Sequence, residues 1–254
     1  MKKTFFYIPL IISVLIFVGP GCTSEIPEPV PESAPENPSI TLQINHTFNA
    51  DSFELDNDYI IPSSEVVRFS RLAYILSNFY LIQEDGSKLF VDNTYHYVDL
   101  RSSNPSLLLS NIKKGNYQGI GFSIGLDSAT NHGDPNKYVS DHPLAPINNS
   151  LHWNWQGGYI FTAIEGKTLV NNKSFLFHLA GTKNRVDIEL PLSFTKNEKS
   201  LNAQLNFKVE ELFINPNTYS IANDGSSTHS IDDPVTLKLF ENLSTVFLLE
   251  SVIE

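Results

Sequence analysis

Apolar and polar residues alternate along most of the chain with the two-residue period of a half-buried β-strand. The clearest segments are Ile40–Phe48, Ile120–Leu126, Val186–Phe194 and Leu201–Val209, and less regular ones are Val66–Ile82 and Tyr95–Leu100. Turn-forming sequences such as Glu84-Asp85-Gly86 lie between them. Many strands with one buried face predict a single all-β domain, an antiparallel β-sandwich or a barrel-like sheet.

The C-terminal segment departs from this period. Asp233 is a suitable N-cap residue, and Pro234 suits the first position of a helix. The apolar residues that follow are spaced as on one face of a helix: Leu239, Phe240, Leu243 and Phe247. We therefore expect a C-terminal helix that packs on the sheet.

The first 21 residues are organised like a secretion signal. Lys2 and Lys3 precede the apolar run Phe5–Val18, which is too short to cross a membrane comfortably. The run is followed by Gly21 and Cys22, the only cysteine of the chain, in the order that is typical of bacterial lipoproteins. We predict a signal peptide over 1–21 and lipidation of Cys22, which would anchor the protein to the bacterial cell envelope, at the outer membrane. The alternative is a soluble secreted protein with an incidental cysteine.

A proline-rich segment follows the predicted lipidation site. Glu25–Ser39 contains five prolines and four glutamates. Such a composition buries too little apolar surface to fold alone, so we interpret residues 22–39 as an extended tether. The folded domain is then expected to span residues 40–254.

Composition excludes several functions. The chain has 17 basic and 28 acidic residues, and no basic cluster is interleaved with aromatic residues, which argues against binding of nucleic acid. Lipidation of Cys22 would leave no thiol for a disulfide, a metal site or a nucleophile. The sequence also lacks the nucleophile-elbow, P-loop and dinucleotide-binding motifs, so we expect a binding protein and not an enzyme.

Three histidines are possible metal ligands. His46 and His178 each occupy a strand position among large apolar residues, where a lone histidine is more often a satisfied core residue than a ligand. Two such positions among only seven histidines favour a functional role. His229 lies in the polar segment Ser226–Ser230 and, taken alone, is a loop residue. Imidazoles suit copper or zinc, but the spacing does not form a short zinc motif.

Both tryptophans of the chain lie in one motif. Trp153 and Trp155 are two residues apart, so on a strand their side chains would share one face. They are interpreted either as aromatic residues of the core or its rim, or as a platform on which a sugar ring stacks.

A series of short motifs occurs in a fixed order along most of Ile40–Val252. They are the strand with His46, Leu76-Ser77-Asn78, Gly115-Asn116-Tyr117, Gly125-Leu126-Asp127-Ser128, Pro143-Leu144-Ala145-Pro146, the run from Trp153 to Tyr159, Glu165-Gly166 and Phe177-His178-Leu179-Ala180-Gly181. Together they resemble the MbnP-like copper-binding domain family. The chain departs from the family pattern at Leu151, where methionine is common, and at His152, where an aromatic residue is common.

The resemblance implies an extracytoplasmic protein that binds copper, as Cu(I) or Cu(II), through histidines. We take His46 and His178 as the first ligands and His229 as the third. In some members a dihaem partner enzyme oxidises a tryptophan to kynurenine, so Trp153 or Trp155 is expected beside the metal, either oxidised or as a cation–π neighbour. The alternative is a surface module without a metal, in which Trp153 and Trp155 bind a glycan or another ligand.

Overall fold

The computed structural model describes residues 38–254, except 103–104, 155–156 and 229–231, and only the backbone of Asn154 and Val235. The predicted signal peptide, Cys22 and nearly all of the predicted tether lie outside the described residues. Within them, the chain forms one compact unit made mainly of β-strands. The all-β prediction is confirmed.

The elements are numbered here in chain order. The strands are β1 (Ile40–Phe48), β2 (Asp51–Ser52), β3 (Asp58–Ile60), β4 (Val66–Gln83), β5 (Lys88–Phe90), β6 (Tyr95–Asp99), β7 (Ser106–Leu109), β8 (Gly115–Ile124), β9 (His152–Asn154), β10 (Gly158–Thr168), β11 (Ser174–Ala180), β12 (Val186–Lys196), β13 (Leu201–Lys208) and β14 (Phe247–Ile253). The α-helices are α1 (Ser128–Asn131), α2 (Pro146–Asn149) and α3 (Pro234–Leu243). Single 3₁₀ turns cover Pro135–Lys137, Thr182–Asn184 and Val209–Phe213.

The first sheet has the strand order β14-β13-β1-β2, with β7 also paired to β1. One of its pairings departs from the antiparallel prediction, because β1 and β13 run parallel, with Ile40 opposite Leu201. Parallel neighbours need a long connection between them. Here the whole second sheet lies between β1 and β13 in the sequence.

The second sheet is built on the long strand β4. Its strand order is β11-β10-β4-β8-β12, and β10 pairs with the first half of β4 whereas β8 pairs with the second half. The short strands β3, β5 and β6 also pair with β4, and β9 pairs with β10. Its pairings are antiparallel. The residues of the candidate site are therefore positioned by the pairings of β4, β10 and β11.

Large aromatic side chains fill the space between the two sheets, as expected for a sandwich. Tyr74 of β4 stacks on Phe207 of β13 with ring centroids 5.0 Å apart, and Phe122 of β8 meets Phe247 of β14 edge to face, also at 5.0 Å. Rings of this size supply much of the apolar surface buried on folding. The core thus locks the two sheets face to face and fixes the inner side of β4.

The C-terminal helix is shorter than predicted. α3 begins at Pro234 as expected but ends at Leu243, and Phe247 instead begins β14, where it lies opposite Phe207. The prediction that Phe247 belongs to the helix is wrong. Its side chain and that of Leu249 are buried while Leu248 is exposed, which is the period of a strand. Among the described residues, we find no helix with both the length and the apolar character that a membrane crossing requires.

Candidate functional site

His178 lies on the outer face of the second sheet. It is opposite Ala163 in β10, and its neighbours Phe177 and Leu179 are fully buried in the core. Because successive residues of a strand point to opposite faces, the imidazole is directed away from the first sheet. Its side chain keeps 23% of its surface exposed, so it can be reached from solvent.

A polar segment runs beside this edge of the sheet. Ser227 forms a parallel bridge with Leu176, and Thr228 N–H donates to the Leu176 carbonyl. His178 N–H donates to Thr228 Oγ1 at 2.9 Å, and the Thr228 hydroxyl donates to the His178 carbonyl at 3.1 Å. β11 is therefore paired on both sides near His178, with β10 on one side and with this segment on the other.

A carboxylate and an arginine lie next to the imidazole. Glu165 Oε1 is 3.0 Å from His178 Nε2 and accepts a hydrogen bond from Arg71 Nη1 at 3.2 Å. Glu165 and Arg71 are directly opposite each other in β10 and β4, so the sheet register itself creates the ion pair. Burial alone would raise the pKa of the Glu165 carboxyl, but the hydrogen bonds from His178 and Arg71 lower it below its usual range.

The charge network continues to Asp99 of β6. Its carboxylate accepts hydrogen bonds from the Tyr97 hydroxyl at 2.7 Å and from Arg101 Nη2 at 2.6 Å, and it lies 3.8 Å from Arg71 Nε. Burial opposes ionisation of Asp99, yet the bonds from Arg101 and Tyr97 lower its pKa. The positive charges of two arginines thus balance the negative charges of two carboxylates next to His178.

Trp153 is the aromatic neighbour of His178. Their ring centroids are 6.3 Å apart with a tilt of 52°, and 49% of Trp153 is exposed. A half-exposed indole beside an accessible imidazole matches the predicted rim residue better than a core residue. His152, next to it in β9, instead meets Tyr159 edge to face at 4.6 Å.

Buried Asn131 fixes the beginning of β10. Its Oδ1 accepts a hydrogen bond from Tyr159 N–H at 2.8 Å, and its Nδ2 donates to Thr182 Oγ1 at 3.2 Å. Gly158 packs against this amide with a φ of +66°. A side chain at Gly158 would place its Cβ 2.6 Å from Asn131 Oδ1. The start of β10 depends on this close approach.

Replacing Gly158 with alanine is expected to lower the free energy of unfolding by about 2 kcal/mol. The positive φ is unfavourable for alanine, and the new methyl group would push on an amide that is itself bonded on two sides. Denaturant unfolding measures the change, with Gly86→Ala as the control, since Gly86 also has a positive φ but no atom near its Cβ position. An equal loss in both variants would mean that the contact with Asn131 contributes nothing.

His46 lies between the two sheets. Its Nε2 is 2.8 Å from the hydroxyl of Tyr74, and its ring centroid is 5.5 Å from that of Phe207. Burial lowers the pKa of His46 to about 4 and raises that of the Tyr74 hydroxyl well above its usual value. These contacts are those of a neutral histidine that is packed against the core and hydrogen-bonded there.

The structure does not bring His46 and His178 together. Tyr74, the partner of His46, is paired with Thr162, whereas His178 is paired with the next residue, Ala163. Adjacent residues of β10 point to opposite faces, so the two imidazoles lie on opposite sides of the second sheet. They cannot ligate the same metal ion in this fold.

The remaining predicted site residues, His229, Trp155 and Cys22, lie outside the described residues. Within the described part of the chain, no group of three or more His, Cys, Asp or Glu side chains is arranged to hold a metal ion. The described residues therefore contribute His178 and Trp153 to a predicted copper site and do not form a complete ligand set. The glycan alternative, which needs both indoles, stays a prediction.

The sequence alone does not reveal the charge network next to His178. Arg71 is a charged residue within the apolar run of β4, and a charge at such a position requires a partner. The sequence thus indicates that Arg71 has a partner, but it does not identify which residue this is. The partner, Glu165, lies 94 positions away, and its contact with Arg71 depends on the register between β4 and β10. Local pattern alone does not specify this register.

The model of the MbnP family matches residues 37–230, more than half of the chain. The chain belongs to the MbnP family. The matched region contains every histidine and tryptophan predicted for the site. The family resemblance inferred from the short motifs is thus confirmed, and with it an association with copper and methanobactin at the level of the family.

Among solved structures, MbnP from Methylosinus trichosporium has the same fold. The two chains superpose with a TM-score of 0.57 at 14% sequence identity, covering 86% of this chain and 99% of the other. At this identity the likeness to MbnP concerns the fold alone. The search of curated proteins finds no match.

Proposed function

We propose that this member of the MbnP family binds copper outside the cytoplasm, with His178 as a ligand. The observation that supports the proposal is the pair formed by His178 and Trp153, whose ring centroids are 6.3 Å apart on the outer face of the sheet. The imidazole is accessible and is hydrogen-bonded to Glu165, while the backbone of His178 is hydrogen-bonded to Thr228. Imidazole nitrogen is a suitable donor for copper. In this proposal copper is the cargo of a binding protein.

His229 is our second proposed ligand. It is joined by a peptide bond to Thr228, whose side chain is hydrogen-bonded to the backbone of His178. A span of one residue keeps its Cα within 3.8 Å of the Thr228 Cα. His46 is left out of the proposed site because its imidazole faces the core on the other side of the sheet, and its own role as a copper ligand stays a prediction.

Trp153 is our choice for the residue beside the metal. As an indole it would offer copper only its π face, because its N–H is a donor and has no lone pair for a metal. Oxidation to kynurenine by a dihaem partner would provide an aromatic amine and a carbonyl at the same place. Its half-exposed position is compatible with access by such a partner enzyme.

The proposed setting is the bacterial cell envelope, with Cys22 lipidated and residues 22–39 as a tether to the outer membrane. In this setting the folded domain would meet copper that arrives from outside the cell. The copper ion, the lipid bilayer and an oxidising dihaem enzyme are the partners that we propose.

Replacing His178 with alanine is expected to weaken copper binding about 100-fold or more, since alanine offers no donor in place of imidazole. Tag-free wild type and variant should be titrated with Cu(I) and Cu(II) against a competing chelator, because a polyhistidine tag would itself bind copper. We expect the wild type to bind one copper ion per chain with high affinity. His229→Ala should weaken copper binding as much as His178→Ala does.

The matched control is His132→Ala, which removes an exposed histidine that follows α1 and lies outside the proposed site. Circular dichroism should show that each variant is folded. Copper affinity that falls equally in His132→Ala and His178→Ala would indicate non-specific binding by surface imidazoles. Unchanged affinity in folded His178→Ala would reject the proposed ligand.

A further inference from the structure

We propose that Glu165 is a positioning residue that fixes the tautomer of His178 and so makes Nδ1 its metal-binding atom. The inference rests on the proposed function for its metal, but its first part concerns the metal-free protein alone. It starts from the contact of one carboxylate oxygen, Glu165 Oε1, with both His178 and Arg71.

The direction of the hydrogen bond follows from its partners. Glu165 Oε1 accepts from the guanidinium of Arg71, and a carboxylate paired with arginine has only acceptor positions. The ring nitrogen 3.0 Å away must then carry the proton, so His178 Nε2–H donates to Glu165. A neutral imidazole has one proton, and the lone pair is consequently on Nδ1.

Glu165 is itself held in place. Arg71 is only 7% exposed, and besides Glu165 it donates from Nη2 to the Asn149 carbonyl at 3.4 Å and lies 3.8 Å from Asp99. Asp99 in turn is fixed by Tyr97 and Arg101. The carboxylate that orients His178 therefore belongs to a network of ion pairs and hydrogen bonds that crosses three strands.

This arrangement has a consequence for metal binding. Histidines that bind metals generally donate their second ring N–H to a carboxylate or carbonyl, which sets the ring orientation and makes the ligating nitrogen more basic. Without Glu165, the ring could rotate about its side-chain bonds and the proton could move to Nδ1. Part of the population would then present the wrong nitrogen.

Nitrogen-15 NMR of the metal-free protein tests the first part. In the wild type we expect a single tautomer of His178, protonated at Nε2, whose ring proton exchanges slowly with water. In Glu165→Met, which removes the acceptor, we expect a larger fraction protonated at Nδ1 and faster exchange. A wild-type proton on Nδ1, or identical populations and exchange rates in the variant, would overturn the proposal.

Copper titration of the same proteins tests the second part. Glu165→Met is expected to bind copper about 10- to 100-fold more weakly although His178 is unchanged, as is usual when a partner of a ligating histidine is removed. Glu165→Gln, which keeps an acceptor oxygen, should lose less. The control is Glu189→Gln, because Glu189 pairs with Lys88 and Tyr80 elsewhere in the second sheet.

The outcomes separate this inference from the proposed function. One outcome is that the wild type binds no copper at His178, although Glu165→Met changes the tautomer as expected. This result would overturn the proposed function and the metal-binding role of Nδ1, but it would support the orienting contact of Glu165. Copper binding that is lost in His178→Ala but unaltered in Glu165→Met would support the ligand and overturn the positioning role of Glu165.

Discussion

Replacing Arg71 with methionine is expected to lower the free energy of unfolding by about 3–5 kcal/mol. The substitution removes the positive charge between Glu165 and Asp99, and it leaves the Asn149 carbonyl without its donor. Removing one member of a buried ion pair is costly because the other charge stays desolvated and uncompensated. Asp99 retains Arg101, so Glu165 bears most of the loss.

Arg68→Met is the matched control, since Arg68 lies on the same strand. It pairs with Asp58 at the surface, with 39% and 48% of the two side chains exposed, and exposed pairs contribute about 1 kcal/mol or less. Urea unfolding of both variants measures the difference. Equal losses would mean that burial of the Arg71 network contributes nothing to stability.

Acidification is expected to remove about 3 kcal/mol of stability through His46 alone. Its pKa falls from an ordinary value of 6.5 to about 4 in the folded protein because burial disfavours the charged imidazole. Between these two pH values the unfolded chain is protonated at His46 and the folded chain is not. The contribution is therefore fully present above pH 6.5 and is lost as the pH falls through 4, at about 1.4 kcal/mol per pH unit.

The measurement is the free energy of unfolding between pH 7 and pH 4 in the wild type and in His46→Gln. Glutamine does not titrate and can still form a hydrogen bond with the Tyr74 hydroxyl. We expect a shallower pH dependence for His46→Gln and an unaltered one for the control His132→Gln, which changes an exposed histidine. Parallel curves for the wild type and His46→Gln would contradict the assignment.

The two histidines that the sequence presents alike thus lie in different environments. Both occupy strand positions next to large apolar residues, and the family resemblance leads us to predict both as copper ligands. In the structure, His46 faces the core and bonds to Tyr74, whereas His178 faces outward and bonds to Glu165. Which face of a sheet is covered depends on the other sheet, so alternation alone could not distinguish them.

The fold was more predictable than the site. The alternation of apolar residues located β1, β8, β12 and β13, because burial of one face leaves a period of two in the sequence. It failed at Phe247, since residues 239, 240 and 243 are helical and Phe247, four positions after Leu243, continues their spacing by coincidence. The parallel pairing of β1 with β13 joins positions far apart, and a local pattern does not contain it.

The candidate site likewise depends on long-range pairing, here within the second sheet. Arg71, Asp99 and Glu165 come from β4, β6 and β10, and their contacts exist only in the observed register. The short motifs identified the family and drew attention to Trp153 and His178. They include Glu165, but they do not indicate that it contacts Arg71 and His178, because these contacts join strands that are far apart in the sequence.

The most direct test is the location of copper in the protein purified from its native host, with any tryptophan modification in place. Anomalous diffraction above and below the copper edge identifies the metal without assuming its ligands. We expect one copper peak on the outer face of the second sheet, within bonding distance of His178 Nδ1 and next to residue 153. A copper peak at His46 between the sheets, or copper-loaded protein with no peak near His178, would contradict it.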